Sequence, residues 1–148
     1  QEAHRQHPFI VVWDDHEITN DTWREGAENH DPATEGSFAA RKAAALQAYH
    51  EWMPIRVANP SRLDQIYRSF TFGDLVDLHM LDTRLVGRDL QLSYDGVTNA
   101  AQLGAVLQST ANPARQLLGS DQLNWLTARV AGSQAQWQML GQQVRMGR

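Results

Sequence analysis

Asp14, Asp15, His16 and Glu17 occupy four consecutive positions directly behind Trp13. Three carboxylates and an imidazole crowded together repel one another if they are simply buried, because like charges at short range raise carboxyl pKa values and destabilise the fold. A bound cation removes that conflict, and carboxylate oxygens with an imidazole nitrogen suit iron, manganese, zinc or calcium. The same four residues also suit a solvated acidic turn in which His16 does no chemistry. What precedes them favours a site. Pro8-Phe9-Ile10-Val11-Val12-Trp13 is a short apolar run rich in β-branched residues, which predicts a buried strand over 8–13. Ligands in open α/β sheets collect at the carboxyl ends of strands.

The elements that must hold such a site follow in order. Residues 20–36 are dense in Asn, Asp, Gly, Thr and Pro and read as an excursion loop. Ser37 offers an N-cap, and an alanine-rich helix is expected over 38–53, ended by Pro54. Phe38, Ala45, Tyr49 and Trp52 form its apolar stripe and are read as core. Two β-prone runs, 66–72 and 75–81, flank Gly73-Asp74, a two-residue hairpin signal of the type II′ kind. The stretch 89–119 has weak periodicity and only three charges, Asp89, Asp95 and Arg115, and reads as a lid or mobile insertion. Ser120 is expected to cap a second helix over 121–131, with Leu123, Leu126 and Val130 inward and Gly132 at its end. A last strand is expected over 137–144. Alternating strands and helices give an α/β class, and the hairpin makes the sheet mixed, flanked by helices.

With 148 residues, the chain is sized for one domain. Lys plus Arg number 13 and Asp plus Glu 17, a formal charge of −4, which gives no broad electrostatic footprint for nucleic acid. Hydrophobic residues are 42%, enough for a core. There is no cysteine, so disulfides, thiolate metal sites and a Cys nucleophile are excluded within these residues. No apolar run approaches the roughly 20 residues of a membrane helix.

The Trp13-Asp14-Asp15-His16-Glu17 motif resembles the signature of the PhoD-like alkaline phosphatases, a branch of the calcineurin-like metallophosphoesterases. The similarity continues through Trp23, Gly26-Ala27-Glu28-Asn29-His30, Arg41, Tyr49 and Trp52-Met53-Pro54-Ile55-Arg56. It resumes at Tyr67-Arg68, Phe72-Gly73-Asp74-Leu75-Val76, Leu81-Asp82-Thr83-Arg84, Arg88, Leu118-Gly119, Gln122, Trp125-Leu126, Trp137 and Gln143-Val144. The resemblance implies part of a four-layer α/β/β/α metallophosphatase fold that hydrolyses small phosphate mono- or diesters by attack of a metal-bound hydroxide. Its cofactor would be a dinuclear or multinuclear site, iron and calcium first, with manganese or zinc as alternatives; paired cations can activate water and hold phosphoryl oxygens together. By that alignment Asp15 is the leading metal ligand, with Asp14 and Asn20 as further oxygen donors. His16 would act on the phosphate or its leaving group, and Glu17 would hold His16 in one tautomer. His30, beside Asp31, is a candidate lining residue, or a loop histidine bonded to nearby backbone. Arg84 and Arg88 are candidate phosphate-binding forks, or partners of Asp82 and Asp89. Gly73-Asp74-Leu75-Val76-Asp77 spells the superfamily's GDxxD metal motif, but it follows the DDHE motif where the true motif precedes it. It is read as a hairpin turn.

The family's other metal-binding segments lie upstream and downstream of the residues present. Residues 1–148 are therefore expected to form the central part of such a domain, inactive and weakly metal-binding alone, with a sheet face or edge left uncovered. The resemblance also implies a periplasmic or secreted location. The competing reading is a non-catalytic α/β domain whose acidic strand end binds a structural cation or a protein partner.

Overall fold

The longest helix forms where alanine is densest. In the computed structural model, which describes residues 2–145, Ser37 accepts the Ala40 N–H and opens the helix that ends just before Pro54. Numbered in chain order, the elements are α1 (Glu2–Gln6), α2 (Pro32–Glu35), α3 (Phe38–Trp52), β1 (Arg68–Phe72), β2 (Val76–Met80), α4 (Ala100–Thr110), α5 (Ser120–Gly132) and β3 (Trp137–Gly141). The class is α/β, and the three strands make one mixed sheet in the order β1-β2-β3. β1 and β2 are antiparallel, and β2 and β3 are parallel. At the hairpin, Gly73 takes φ 60° and Leu75 N–H donates to Phe72 O, as the Gly-Asp signal predicts. The ladder opens one residue later than expected, at Phe72↔Val76.

Register sorts the sheet into two unlike faces. Ser69 lies opposite His79 and Thr71 opposite Asp77, so one face is polar. Phe70, Phe72, Val76, Leu78, Trp137 and Met139 share the other. α5 lies on the polar face, where Trp125 stands edge-on to His79 and Ser133 donates to Asp77 at 2.5 Å. On the apolar face Phe72, Trp137 and Met139 are exposed. The main core lies elsewhere, between α3 and the segments beside it: Trp13, Leu46, Tyr49, Ile66 and Leu85, with Val12, Ile18, Met53, Ile55 and Leu63 against them.

Several expectations are corrected. Residues 8–13 form no regular element and join no ladder; Phe9 and Ile10 are exposed, and Arg68 Nη2 donates to Val11 O at 2.7 Å, tying the segment to the start of β1. An apolar run becomes a strand only beside a partner edge, and here its last two residues turn into the α3 core instead. Trp52 is 75% exposed; the buried stripe of α3 is Phe38, Leu46 and Tyr49. Residues 89–119 are not structureless, since Asn99 caps α4 within them. Gly119 precedes α5 and Ser120 is already helical, with no side-chain cap. The residue α5 buries is Gln122, whereas Leu123 and Val130 are exposed, because the helix rests on polar strand ends rather than on the apolar face.

Candidate phosphate-ester site

A tight turn presents the motif. Both Ile18 and Thr19 donate to Asp15 O, and Glu17 Oε2 accepts the Asp14 N–H at 2.8 Å, closing the turn as a reciprocal cap does. Asp15 is 7% exposed and each of its oxygens takes a backbone N–H: His16 N at 3.0 Å and Asp21 N at 2.8 Å. Asp21 stands at φ 47°, the left-handed region that aspartate tolerates better than most residues. Burial pushes the Asp15 carboxyl up, but the Asp21 N–H and the charge of Arg84 outweigh it, and the net shift is downward.

Arg84 is the cation on which the carboxylates converge. Its Nε donates to Asp14 Oδ1 at 2.7 Å, Nη1 to Asp21 Oδ1 at 3.3 Å, and Nη2 lies 3.7 Å from Asp15 Oδ2. The alternative partner weighed for it, Asp82, meets its backbone instead. Asp82 Oδ1 accepts the N–H groups of Arg84 at 2.7 Å and Leu85 at 2.9 Å, fixing the loop that aims the guanidinium. Two glutamines fasten this loop from behind. Gln122 bonds both the N–H and the C=O of Asp82, and Gln143 takes Thr83 N and Oγ1 while donating to Leu81 O. The Trp13 indole N–H faces the second Asp82 oxygen without completing a hydrogen bond. Arg88 is half-buried and donates to Gln91; among the described residues no carboxylate stands at ion-pair distance from it.

His16 is exposed at the tip of the turn. Its Nε2 lies 2.9 Å from Asn20 Oδ1, and Asn20 Nδ2 donates to Glu28 Oε2 at 2.5 Å. Because the amide oxygen can only accept, Nε2 carries a proton, which leaves Nδ1 as the variable nitrogen. The Asn20 bond, and after it the charge of Asp15, raises the His16 pKa above the ordinary imidazole value.

These contacts reassign several expected roles. Glu17 serves the Asp14 backbone, and the side chain that orients His16 is Asn20, whose oxygen is thereby committed. His30 makes no hydrogen bond or ion pair with this group among the described residues: its ring lies against Phe38, with Nδ1 near Glu35 and Arg41. Asp21, Gln122 and Gln143 had no assigned role in the sequence reading. Neither Asp21, 63 residues from Arg84, nor the glutamines carry a local signal. Asp77, the last residue of the GDxxD run, bonds Thr71 and Ser133 on the polar sheet face.

A family model of PhoD-like phosphatases matches residues 1–148. The chain belongs to the PhoD-like phosphatase family. It is 39% identical over 144 residues to alkaline phosphatase D of Bacillus subtilis (strain 168), covering 96% of this chain and 23% of that protein. A solved structure of PhoD matches 93% of this chain and 25% of its own, at TM-score 0.75 and 38% identity. The chain thus spans about a quarter of the length of the relatives it matches.

For the metal centre implied by the PhoD resemblance, the residues present supply too few donors by themselves. Among the described residues no group of three or more His, Cys, Asp or Glu side chains is placed to hold an ion. Each Asp15 oxygen accepts one backbone N–H, Asp14 Oδ1 meets Arg84, and Asn20 Oδ1 meets His16. Arg84 offsets part of the charge, one cation against the carboxylates of Asp14, Asp15 and Asp21. The structural-cation reading meets the same obstacle.

Proposed function

We propose that this chain supplies the anion-holding and proton-donating part of a phosphatase acting on small phosphate mono- or diesters. The observation that carries the reading is His16, oriented by Asn20, on the turn whose Asp14 and Asp15 meet Arg84, with Arg88, which among the described residues has no carboxylate at ion-pair distance, four positions along from Arg84, in a chain of the PhoD-like phosphatase family. Guanidinium forks match phosphoryl oxygens, and Arg88 has donors to spare. A protonated His16 can hand its Nδ1 proton to the oxygen that leaves phosphorus, and its raised pKa keeps that proton available closer to neutral pH. Arg84 has a positioning role here, since its fork is occupied by Asp14 and Asp21. Iron, calcium, manganese or zinc bound with further ligands belongs to the same proposal, as does an extracytoplasmic location. No helix among the described residues is long and apolar enough to cross a membrane.

The test is a chimera. Residues 1–148 replace the matching segment of Bacillus subtilis alkaline phosphatase D, and hydrolysis of p-nitrophenyl phosphate and bis-p-nitrophenyl phosphate is measured. An active chimera that loses about 10²–10⁴-fold in kcat on His16→Ala supports the reading, the usual range for a lost general acid. A folded chimera whose rate is unmoved by His16→Ala refutes it. The 148 residues alone are expected to show no turnover and weak binding of manganese or calcium by calorimetry.

A further inference from the structure

A cavity of about 610 Å³ opens between α3 and residues 60–64, lined by none of the side chains that the proposed function uses. Its size lies within the range of small-molecule sites, about 300–1,000 Å³, and its make-up is theirs too: apolar walls with a few polar groups. Phe38, Leu46 and Leu63 supply the walls, and Arg24, Lys42 and Arg62 bring three cations. Two carboxylates also line it, and both are engaged: Glu25 lies 3.3 Å from Arg24, and Asp64 lies 2.9 Å from Arg62. Arg24 has a second partner in Asp89 at 3.2 Å. Lys42 is different. Among the described residues its ammonium has no carboxylate at ion-pair distance and donates one hydrogen bond, to Leu85 O at 2.7 Å. An ammonium has three donors, so two remain. Burial draws the Lys42 pKa below the ordinary lysine value, against the opposing charges of Asp64 and Asp82, neither of which stands at ion-pair distance.

We propose that this cavity binds a monoanionic amphiphile, a carboxylate on a short aliphatic or aromatic body, with its head on Lys42 and its body against Phe38, Leu46 and Leu63. Charge complementarity selects that occupant. Each guanidinium on the wall is paired with a carboxylate, whereas Lys42 has none at ion-pair distance among the described residues and keeps two donors for a carboxylate head. A bare phosphate would leave the apolar walls unfilled. The inference uses none of Asp14, Asp15, His16, Arg84 or Arg88, and stands apart from the phosphate-ester reading.

Calorimetric titration of the 148-residue chain with octanoate, octanol and inorganic phosphate tests it. Octanoate is expected to bind, and Lys42→Met, which keeps an apolar stem of similar length, to weaken it about tenfold, the worth of one charge-assisted hydrogen bond. Octanol should bind equally to both proteins. No octanoate binding, equal octanoate affinity in the two proteins, or phosphate binding tighter than octanoate overturns the proposal. Lys42→Met also leaves the Leu85 carbonyl without its donor, so circular dichroism must show the variant folded. A second readout needs no variant: nuclear Overhauser contacts from octanoate methylenes to Leu46 and Leu63 methyl groups in the unmutated protein. Their absence at saturating octanoate overturns the proposal as well.

Discussion

Asp15 and Asp82 are both buried, and the fold shifts their carboxyls in opposite directions. Asp15 is held below the usual range: burial works against it, but the Asp21 N–H and Arg84 prevail. Stability from such a group is present above the unfolded value of about 3.9 and is lost as pH falls through the folded one. Asp82 is pushed up by burial, against the N–H groups of Leu85 and Arg84. Its contribution is full below about pH 3.9 and is lost as pH rises through the folded pKa. Asp15→Asn is therefore expected to cost about 1–3 kcal/mol at neutral pH, by turning an amide toward backbone donors, with the deficit closing as the solution is acidified. Asp82→Asn should gain on the unmutated protein as pH rises. Urea unfolding from pH 3 to 8 checks both, and parallel pH profiles for the two variants would contradict the assignment. His16 gives a separate check. Without the Asn20 acceptor its protonated form loses its main support, so Asn20→Ala should lower the His16 pKa, read from the imidazole proton shifts in NMR. The DDHE cluster was legible in the sequence as a charge conflict, and Trp13 as its buried neighbour. What resolves the conflict was not legible, because Arg84 arrives from about seventy residues away and its aim depends on Asp82, Gln122 and Gln143.

At the scale of elements, α5 is fixed to the end of β2 by one side chain. Gln122 is fully buried and satisfies both backbone groups of Asp82, with a further bond to Leu118 O. Gln122→Leu keeps the volume and orphans a buried N–H and a buried C=O, an expected loss of about 2–4 kcal/mol. Gly87 makes the second fastening. A Cβ there would run into the backbone of Leu118 and Gly119, neither of which can swing aside. Gly87→Ala should therefore cost about 3 kcal/mol or more, with chemical denaturation as the measurement and a loss under 1 kcal/mol as the contrary result. Local signals found α3, the hairpin and β3, because each is written in adjacent residues: Ser37 and Pro54, Gly73-Asp74, a short apolar run. They misplaced the inward side of α5 because apolar periodicity assumes an apolar neighbour, and this helix rests on Asp82, Asp77 and His79. The same assumption made a strand of residues 8–13, of which Val12 and Trp13 found a core beside α3 but no ladder.

For the molecule as a whole, the unequal sheet faces matter most. α5 covers the polar face, while Phe72, Trp137 and Met139 stay 52%, 66% and 54% exposed on the other. β3 is also an edge strand, paired on one side by β2. Exposed apolar surface next to a free strand edge favours association with a second copy, since it offers both area to bury and unpaired backbone groups. The 148-residue chain is expected to self-associate as its concentration rises through the micromolar range. Met139→Lys places a charge in the middle of that face and beside the edge, at a position already exposed, so it should keep the chain monomeric and move its stability by less than about 0.5 kcal/mol. Sedimentation velocity over a concentration series decides the matter. A chain that remains monomeric throughout would mean that the exposed face is not sticky, and association unchanged by Met139→Lys would locate the contact elsewhere, with the apolar segment of Phe9 and Ile10 as the next surface to charge.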